Sequence, residues 1–216
     1  MSEVKIATGV DRLWHWVHAI AIVLLALSGY HIHYPQQFAV FGTLESAIAI
    51  HQFFGWLVIA DFAVWLLYNL ATGRMRFYLP NREDLLKGSR KQAFYYLFGI
   101  FRRDPHPFEA DGVTRKFNPL QKQGYIVIMF VLMPAQIVTG LILDQYVRQW
   151  MTLERAMVRE ISILHTVLGY LFVAFIVAHT YLATTGHTVF AHFKMMITGK
   201  EQVHVEPPGE HSEGSA

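Results

Sequence analysis

Four stretches of this chain are long and apolar enough to cross a bilayer, and no other feature restricts its fold so tightly. A hydrocarbon layer about 30 Å thick offers backbone amides no water. A crossing segment is therefore a helix of about 20 mostly apolar residues or a strand of a closed barrel. The first stretch runs from about Leu13 to Tyr30 and the second from about Ala47 to Leu70, with Asp61 as its one charged residue. The third spans about Gly124 to Leu143 and contains Pro134, which is expected to kink it. The fourth runs from about Ile161 to Thr185. The run Phe94–Phe101 is apolar too, but it is short and flanked by Arg90, Lys91, Arg102 and Arg103, so it reads as interfacial. Lys5 and Arg12 ahead of the first stretch resemble the start of a signal peptide. Two histidines and two tryptophans inside the stretch argue instead for a permanent helix.

The expected fold class is all-α, an integral membrane four-helix bundle. Residues 1–200 form its membrane domain, with spans at about 12–30, 47–70, 122–143 and 161–185 and a loop over 71–121. A helix is expected in that loop around Asp84 to Phe101. Residues 201–216, rich in Glu, Pro, Gly and Ser, read as a disordered tail. Loop charge sets the orientation. Eleven Lys and Arg lie between Arg74 and Lys122, whereas Tyr30 to Ser46 has none. The positive-inside rule therefore puts the long loop and both termini in the cytoplasm, which in a bacterium means a multi-pass protein of the inner membrane.

Composition narrows the chemistry. With no cysteine, thiolate metal sites, iron–sulfur clusters and covalently attached c-type haem are excluded on this chain. A net charge of +2 is too small for nucleic-acid binding. Twelve histidines remain, and an imidazole inside a bilayer is costly enough to suggest a task.

Placed by depth, these histidines fall into pairs. His15 and His18 lie near the cytoplasmic end of the first helix, His51 near the periplasmic start of the second, His165 near the periplasmic start of the fourth and His179 near its cytoplasmic end. Fourteen residues of α-helix separate His165 from His179, which leaves them within about 40° of one face and about 21 Å apart along the axis. His51 can therefore meet His165, and either His15 or His18 can meet His179. Two imidazoles from facing helices saturate a haem iron, a state suited to electron transfer. The expectation is two b-type haems, one per leaflet. Gly29, Gly55, Gly140 and Gly169 put one small residue in each helix where a flat macrocycle needs close backbone approach, although small residues also serve ordinary helix packing. Spacing leaves His15 and His18 undecided, since three residues apart they share roughly one face.

The run Arg12-Leu13-Trp14-His15-Trp16 resembles the R-x-x-H-W opening of bacterial membrane b-type cytochromes. Ile50-His51-Gln52-Phe53-Phe54-Gly55 resembles their second-helix haem segment, and His165-Thr-Val-Leu-Gly169 with His179-Thr-Tyr181 resembles their fourth-helix pair. With single ligands in helices one and two and both others in helix four, the chain is similar to the gamma subunit of membrane formate dehydrogenase. Thr185-Gly186-His187-Thr188 looks more like the thiosulfate reductase cytochrome b branch. The resemblance covers about residues 10 to 200 and selects His15, with His18 as the alternative. It implies haem-iron ligands at His15, His51, His165 and His179, and a quinone site near the start of the third helix. Asn118, Gln121 and Lys122 match that site in position, but helix capping is an equal account of them.

The mechanism implied is an electron relay. A periplasmic redox subunit carrying iron–sulfur clusters or c-type haems exchanges electrons with the outer haem, and the inner haem exchanges them with quinone. The rival reading within haem chemistry is a stand-alone membrane oxidoreductase acting on a small molecule such as superoxide or ferric iron. A haem-free transporter fits less well, because the histidines divide between leaflets and do not converge at the midplane. Asp61 is expected either to relay protons or to pair internally. His31 and His33 are expected to be solvated at the periplasmic exit, and His187 and His192 are candidates to protonate quinone. His106, His204 and His211 are expected to be solvated.

Overall fold

A computed structural model describes residues 2–5, 7–102, 107, 117–184 and 189–203. Four of its helices are long and apolar enough to cross a membrane: α1 (Gly9–His33), α2 (Leu44–Ala71), α4 (Pro119–Val147) and α5 (Arg155–Ala183). Between α2 and α4 runs a helical segment, α3, over residues 84–102. A short helix, α6 (Ala191–Thr198), follows α5. A strand, β1 (Ser2–Lys5), pairs antiparallel with β2 (Lys200–Val203).

Local chemistry explains where the long helices begin. Thr8 caps α1 in a capping box with Asp11, and Thr43 caps α2 by accepting from the Ser46 amide. Asn118 and Gln121 form a second capping box at the head of α4, with Pro119 in its first turn. Helices α1, α2 and α4 run beyond the apolar stretches read from the sequence at both ends, whereas α5 starts earlier than its stretch, at Arg155, and stops at Ala183. Inside α4, residues Ile126–Leu132 form wide turns in which the Met133 amide reaches back to the Ile128 carbonyl. Pro134 follows immediately. Its missing N–H and the bulk of its ring are absorbed by this widening.

Lipid-facing and inward-facing surfaces are reversed relative to a soluble bundle. Leu13, Phe53, Leu67 and Val177 are among the large apolar side chains turned outward, as a bilayer permits and water does not. Inward, one residue from each long helix meets in a central cluster: Ala21 of α1, Val58 of α2, Met133 of α4 and Phe172 of α5. A second cluster, of Trp65, Tyr78 and Met129, closes the end of the bundle where α1 begins and α2 finishes. There, burial pushes the Tyr78 hydroxyl up to about 12, so it stays neutral.

The two ends of the chain are clasped together. Besides the β1–β2 pairing, the Ala7 amide donates to the Gly199 carbonyl, the Arg12 guanidinium donates to the Ile197 carbonyl and the Trp16 indole donates to the Met196 carbonyl. Gly199 ends α6 at φ 81°, where a Cβ would stand 2.6 Å from the Ala7 oxygen, so only glycine closes this corner without strain. Residues 201–203, read from the sequence as the start of the tail, pair with β1; residues 204–216 lie outside the described residues.

Candidate functional site

The bundle brings the expected histidines together in two pairs. The rings of His15 (α1) and His179 (α5) have their centres 6.2 Å apart, and those of His51 (α2) and His165 (α5) are also 6.2 Å apart. Phe172, in the central cluster, lies seven residues from each α5 histidine. The pairs therefore stand on opposite sides of the apolar layer, about 21 Å apart along α5.

Each imidazole of the His51–His165 pair rests on a hydroxyl–glycine step of a neighbouring helix. Ser28 Oγ donates to the Leu24 carbonyl at 2.6 Å and lies 2.9 Å from His51 Nδ1. A hydroxyl has one proton, so with that proton spent on the carbonyl it accepts Nδ1–H from His51. Thr139 repeats this arrangement, donating to the Ala135 carbonyl at 2.8 Å and meeting His165 Nδ1 at 2.9 Å. Both tautomers are thereby set with the proton on Nδ1 and the lone pair on Nε2. The Gln136 amide, donating to His165 Nε2 at 3.2 Å, is consistent with that lone pair. The adjoining glycines make the space: a Cβ on Gly29 would meet His51 Cε1 at 3.3 Å, and one on Gly140 would meet His165 Cε1 at 3.1 Å. Hydrogen bonds of this second-layer kind orient metal-ligating imidazoles and raise their basicity.

The His15–His179 pair is built differently. His15 Nδ1 is buried without a hydrogen-bond partner, and the His15 ring lies edge-on to Trp16. His179 stacks on Phe175. His18 faces elsewhere: its Nδ1 lies 2.7 Å from the Asp61 carboxylate, its ring stacks on Trp14, and the Trp14 indole donates to the Asp61 carbonyl. His18 is thus committed to α2 and Asp61 is paired internally, while His15 is the residue that meets His179.

The pairs pass a simple test of fit to iron. At a metal–nitrogen distance of about 2.0 Å, such as imidazole makes with first-row metals, an ion held between two rings sets their centres about 6 Å apart. Both pairs show that separation.

Other expected residues are placed less simply. Asn118 and Gln121 are engaged in the α4 capping box, Asn118 Nδ2 also donates to the Tyr96 hydroxyl at 3.1 Å, and Lys122 pairs with Asp84 at 2.8 Å. Their capping and pairing roles are therefore structural facts. The expectation for His31 is corrected: it lies within α1, is 1 % exposed, and its Nδ1 accepts from the Phe41 amide, because the loop after α1 folds Phe41 back over it. His33 ends α1 and is exposed as expected. His192 lies in α6 with its Nδ1 3.2 Å from the Ala183 carbonyl. His106, His187, His204 and His211 lie outside the described residues. Ser28, Thr139 and Gln136 were missed by sequence reasoning. The signal available was the repeated hydroxyl–glycine step, Ser28-Gly29 and Thr139-Gly140, in two apolar helices.

The Prokaryotic cytochrome b561 family matches residues 7–199. A protein of Escherichia coli (strain K12) provisionally named cytochrome YdhU is 35% identical over 197 residues, covering 87% of this chain and 70% of that one. The cytochrome b556(Fdn) subunit of nitrate-inducible formate dehydrogenase from the same strain is 27% identical over 199 residues, 88% of this chain and 81% of the relative. A shorter match joins the chain to an Azospira oryzae protein provisionally named protein-methionine-sulfoxide reductase subunit YedZ1, 24% identical over 115 residues, 45% of this chain and 58% of that one. Family, helices and kinship agree with the resemblance read from the histidine segments. The chain belongs to the prokaryotic cytochrome b561 family of multi-pass membrane cytochromes with b-type haem.

Proposed function

We propose that this chain holds two b-type haems, one between His15 and His179 and one between His51 and His165, and conducts electrons between a periplasmic redox partner and the quinone pool. The observation that carries the reading is the pair of equal 6.2 Å imidazole separations on either side of one apolar layer. Held by these imidazoles, a b-type haem would supply one-electron transfer. The chain's part is to hold and insulate. Ser28 and Thr139 fix the outer rings, Gly29 and Gly140 admit them, and the central cluster keeps water from the space between the pairs.

Loop charge puts the His15–His179 pair on the cytoplasmic side of the inner membrane. Quinone is assigned to that side, near Asn118, Gln121 and Lys122 at the head of α4, within reach of protons from the cytoplasm. The partner faces His51 and His165. A relative that is a formate dehydrogenase subunit supports a place in a multi-subunit oxidoreductase over stand-alone chemistry. Partner subunits with iron–sulfur clusters or c-type haems supply the matching one-electron carriers.

Substituting His15 and His18 separately tests the inner site. His15→Ala is expected to lower haem from two to one per chain. His18→Ala is expected to retain both, since His18 serves Asp61; loss of haem from His18→Ala with retention in His15→Ala would reverse the assignment. Thr139→Val keeps the shape of the side chain and removes the acceptor for His165 Nδ1–H. It is expected to weaken outer haem binding about 10- to 100-fold. The less basic imidazole raises the outer midpoint potential in a redox titration and leaves the inner one unmoved.

A further inference from the structure

Segment α3 is folded the wrong way round for water. Its polar and small residues Asp84, Gly88, Ser89 and Gln92 are buried, while Leu86 is 76%, Phe101 73% and Leu97 65% exposed, with Phe94 and Phe98 turned outward beside them. An amphipathic helix on a soluble protein shows the opposite arrangement. The inversion is fixed by a polar seam against the head of α4. Lys122 Nζ reaches Asp84 at 2.8 Å and Asn118 Nδ2 donates to the Tyr96 hydroxyl, while within α3 Ser89 Oγ donates to the Asp84 carbonyl. Gly88 lets the Pro119 ring approach to where a Cβ would be 2.8 Å from it. With this face bound to the protein, the apolar face has one direction left to point.

We propose that α3 is a membrane-embedded helix whose outward face enters the acyl layer and whose basic residues Lys87, Arg90 and Arg102 bind the phosphates of anionic phospholipids. Two observations select lipid over a protein partner. The helix packs on the head of α4 through Lys122 and Pro119, and the span that begins there also turns Val127, Phe130 and Val131 outward. The apolar patch is also interleaved with exposed cations, Lys87, Arg90 and Arg102, whose long apolar stems lie along an acyl surface while their charges reach the headgroups. A cluster of cations at the edge of a span is the pattern that recruits anionic lipid. The seam belongs to residues at the head of α4, so the lipid-bound helix is also the wall of the region assigned to quinone. The lipid site itself stands independently of haem or quinone.

The chain has no cysteine, so Leu97→Cys gives a single labelling site on the full-length protein. Reconstituted in nanodiscs, a fluorophore there is expected to emit as in hydrocarbon, to be quenched by brominated lipid, and to resist aqueous iodide. Quenching by iodide would show a solvated helix. Resistance to both quenchers would show a protein surface, from a second copy or another subunit, covering it. Either result overturns the proposal. In discs of mixed phosphatidylglycerol and phosphatidylcholine, the chain is expected to enrich phosphatidylglycerol in its co-purified lipid. The triple variant Lys87→Gln, Arg90→Gln, Arg102→Gln should lower that enrichment several-fold while the Leu97→Cys label stays in hydrocarbon. Unchanged enrichment would overturn the headgroup assignment. Haem content measured on the same samples separates failure of the lipid site from failure of the haem reading.

Discussion

His179→Ala is expected to leave the protein with one haem in place of two and to abolish electron exchange with quinone, while the outer haem remains reducible from the periplasmic side. The expectation follows from the pairing geometry. His15 has His179 as its facing imidazole, 6.2 Å between ring centres, and no hydroxyl seat of its own, so loss of His179 leaves the inner site with a single ligand. His165 lies seven residues from Phe172, on the other side of the central layer from His179, and its pair with His51 keeps the Ser28 and Thr139 hydrogen bonds. Haem per chain by pyridine haemochrome and a quinol-linked reduction assay check both parts. Two haems retained in His179→Ala would show that the inner pairing is wrong.

Gly140→Leu should have a comparably large effect on the other site. A Cβ alone at Gly140 would stand 3.1 Å from His165 Cε1, closer than side chains normally pack, and the further carbons of leucine have no room unless the ring moves. Overpacking of this kind costs about 1–3 kcal/mol, and here the strain falls on a ligand whose position must hold to a fraction of an ångström. The outer haem is expected to be lost and the inner one kept. Gly124→Leu is the control: Gly124 lies in the same helix with nothing within 4 Å of its would-be Cβ, and both haems should remain. Retention of two haems by Gly140→Leu, with an unshifted outer spectrum, would show that this glycine is no part of the seat.

Much of the fold was legible in the sequence because a bilayer makes severe demands. Four apolar stretches became α1, α2, α4 and α5, and the depth of a histidine along a helix follows from counting residues at 1.5 Å each. Counting does not give the direction a side chain takes around the helix. His15 and His18 were inseparable on spacing; in the fold His18 turns to Asp61, 2.7 Å away, while the His15 ring faces His179. His31 was misread for a related reason: its burial depends on Phe41, ten residues on, in a loop with no periodicity to read. Local polar chemistry was ambiguous between a ligand site and a cap at Asn118 and Gln121, and the capping box is present. The inversion of α3 was half legible. Its apolar run announced an interface, but which face turned inward depended on Lys122 and Pro119, across an intervening stretch of chain.

The central claim is that the two histidine pairs hold two b-type haems. The most direct measurement is a reduced-minus-oxidised optical spectrum of the purified full chain, with haem quantified per polypeptide in the unaltered protein and in the His165→Ala variant. The account predicts two b-type haems in the first and one in the second, with the inner-site spectrum unchanged. A single haem in the unaltered chain, or two in the variant, would contradict it.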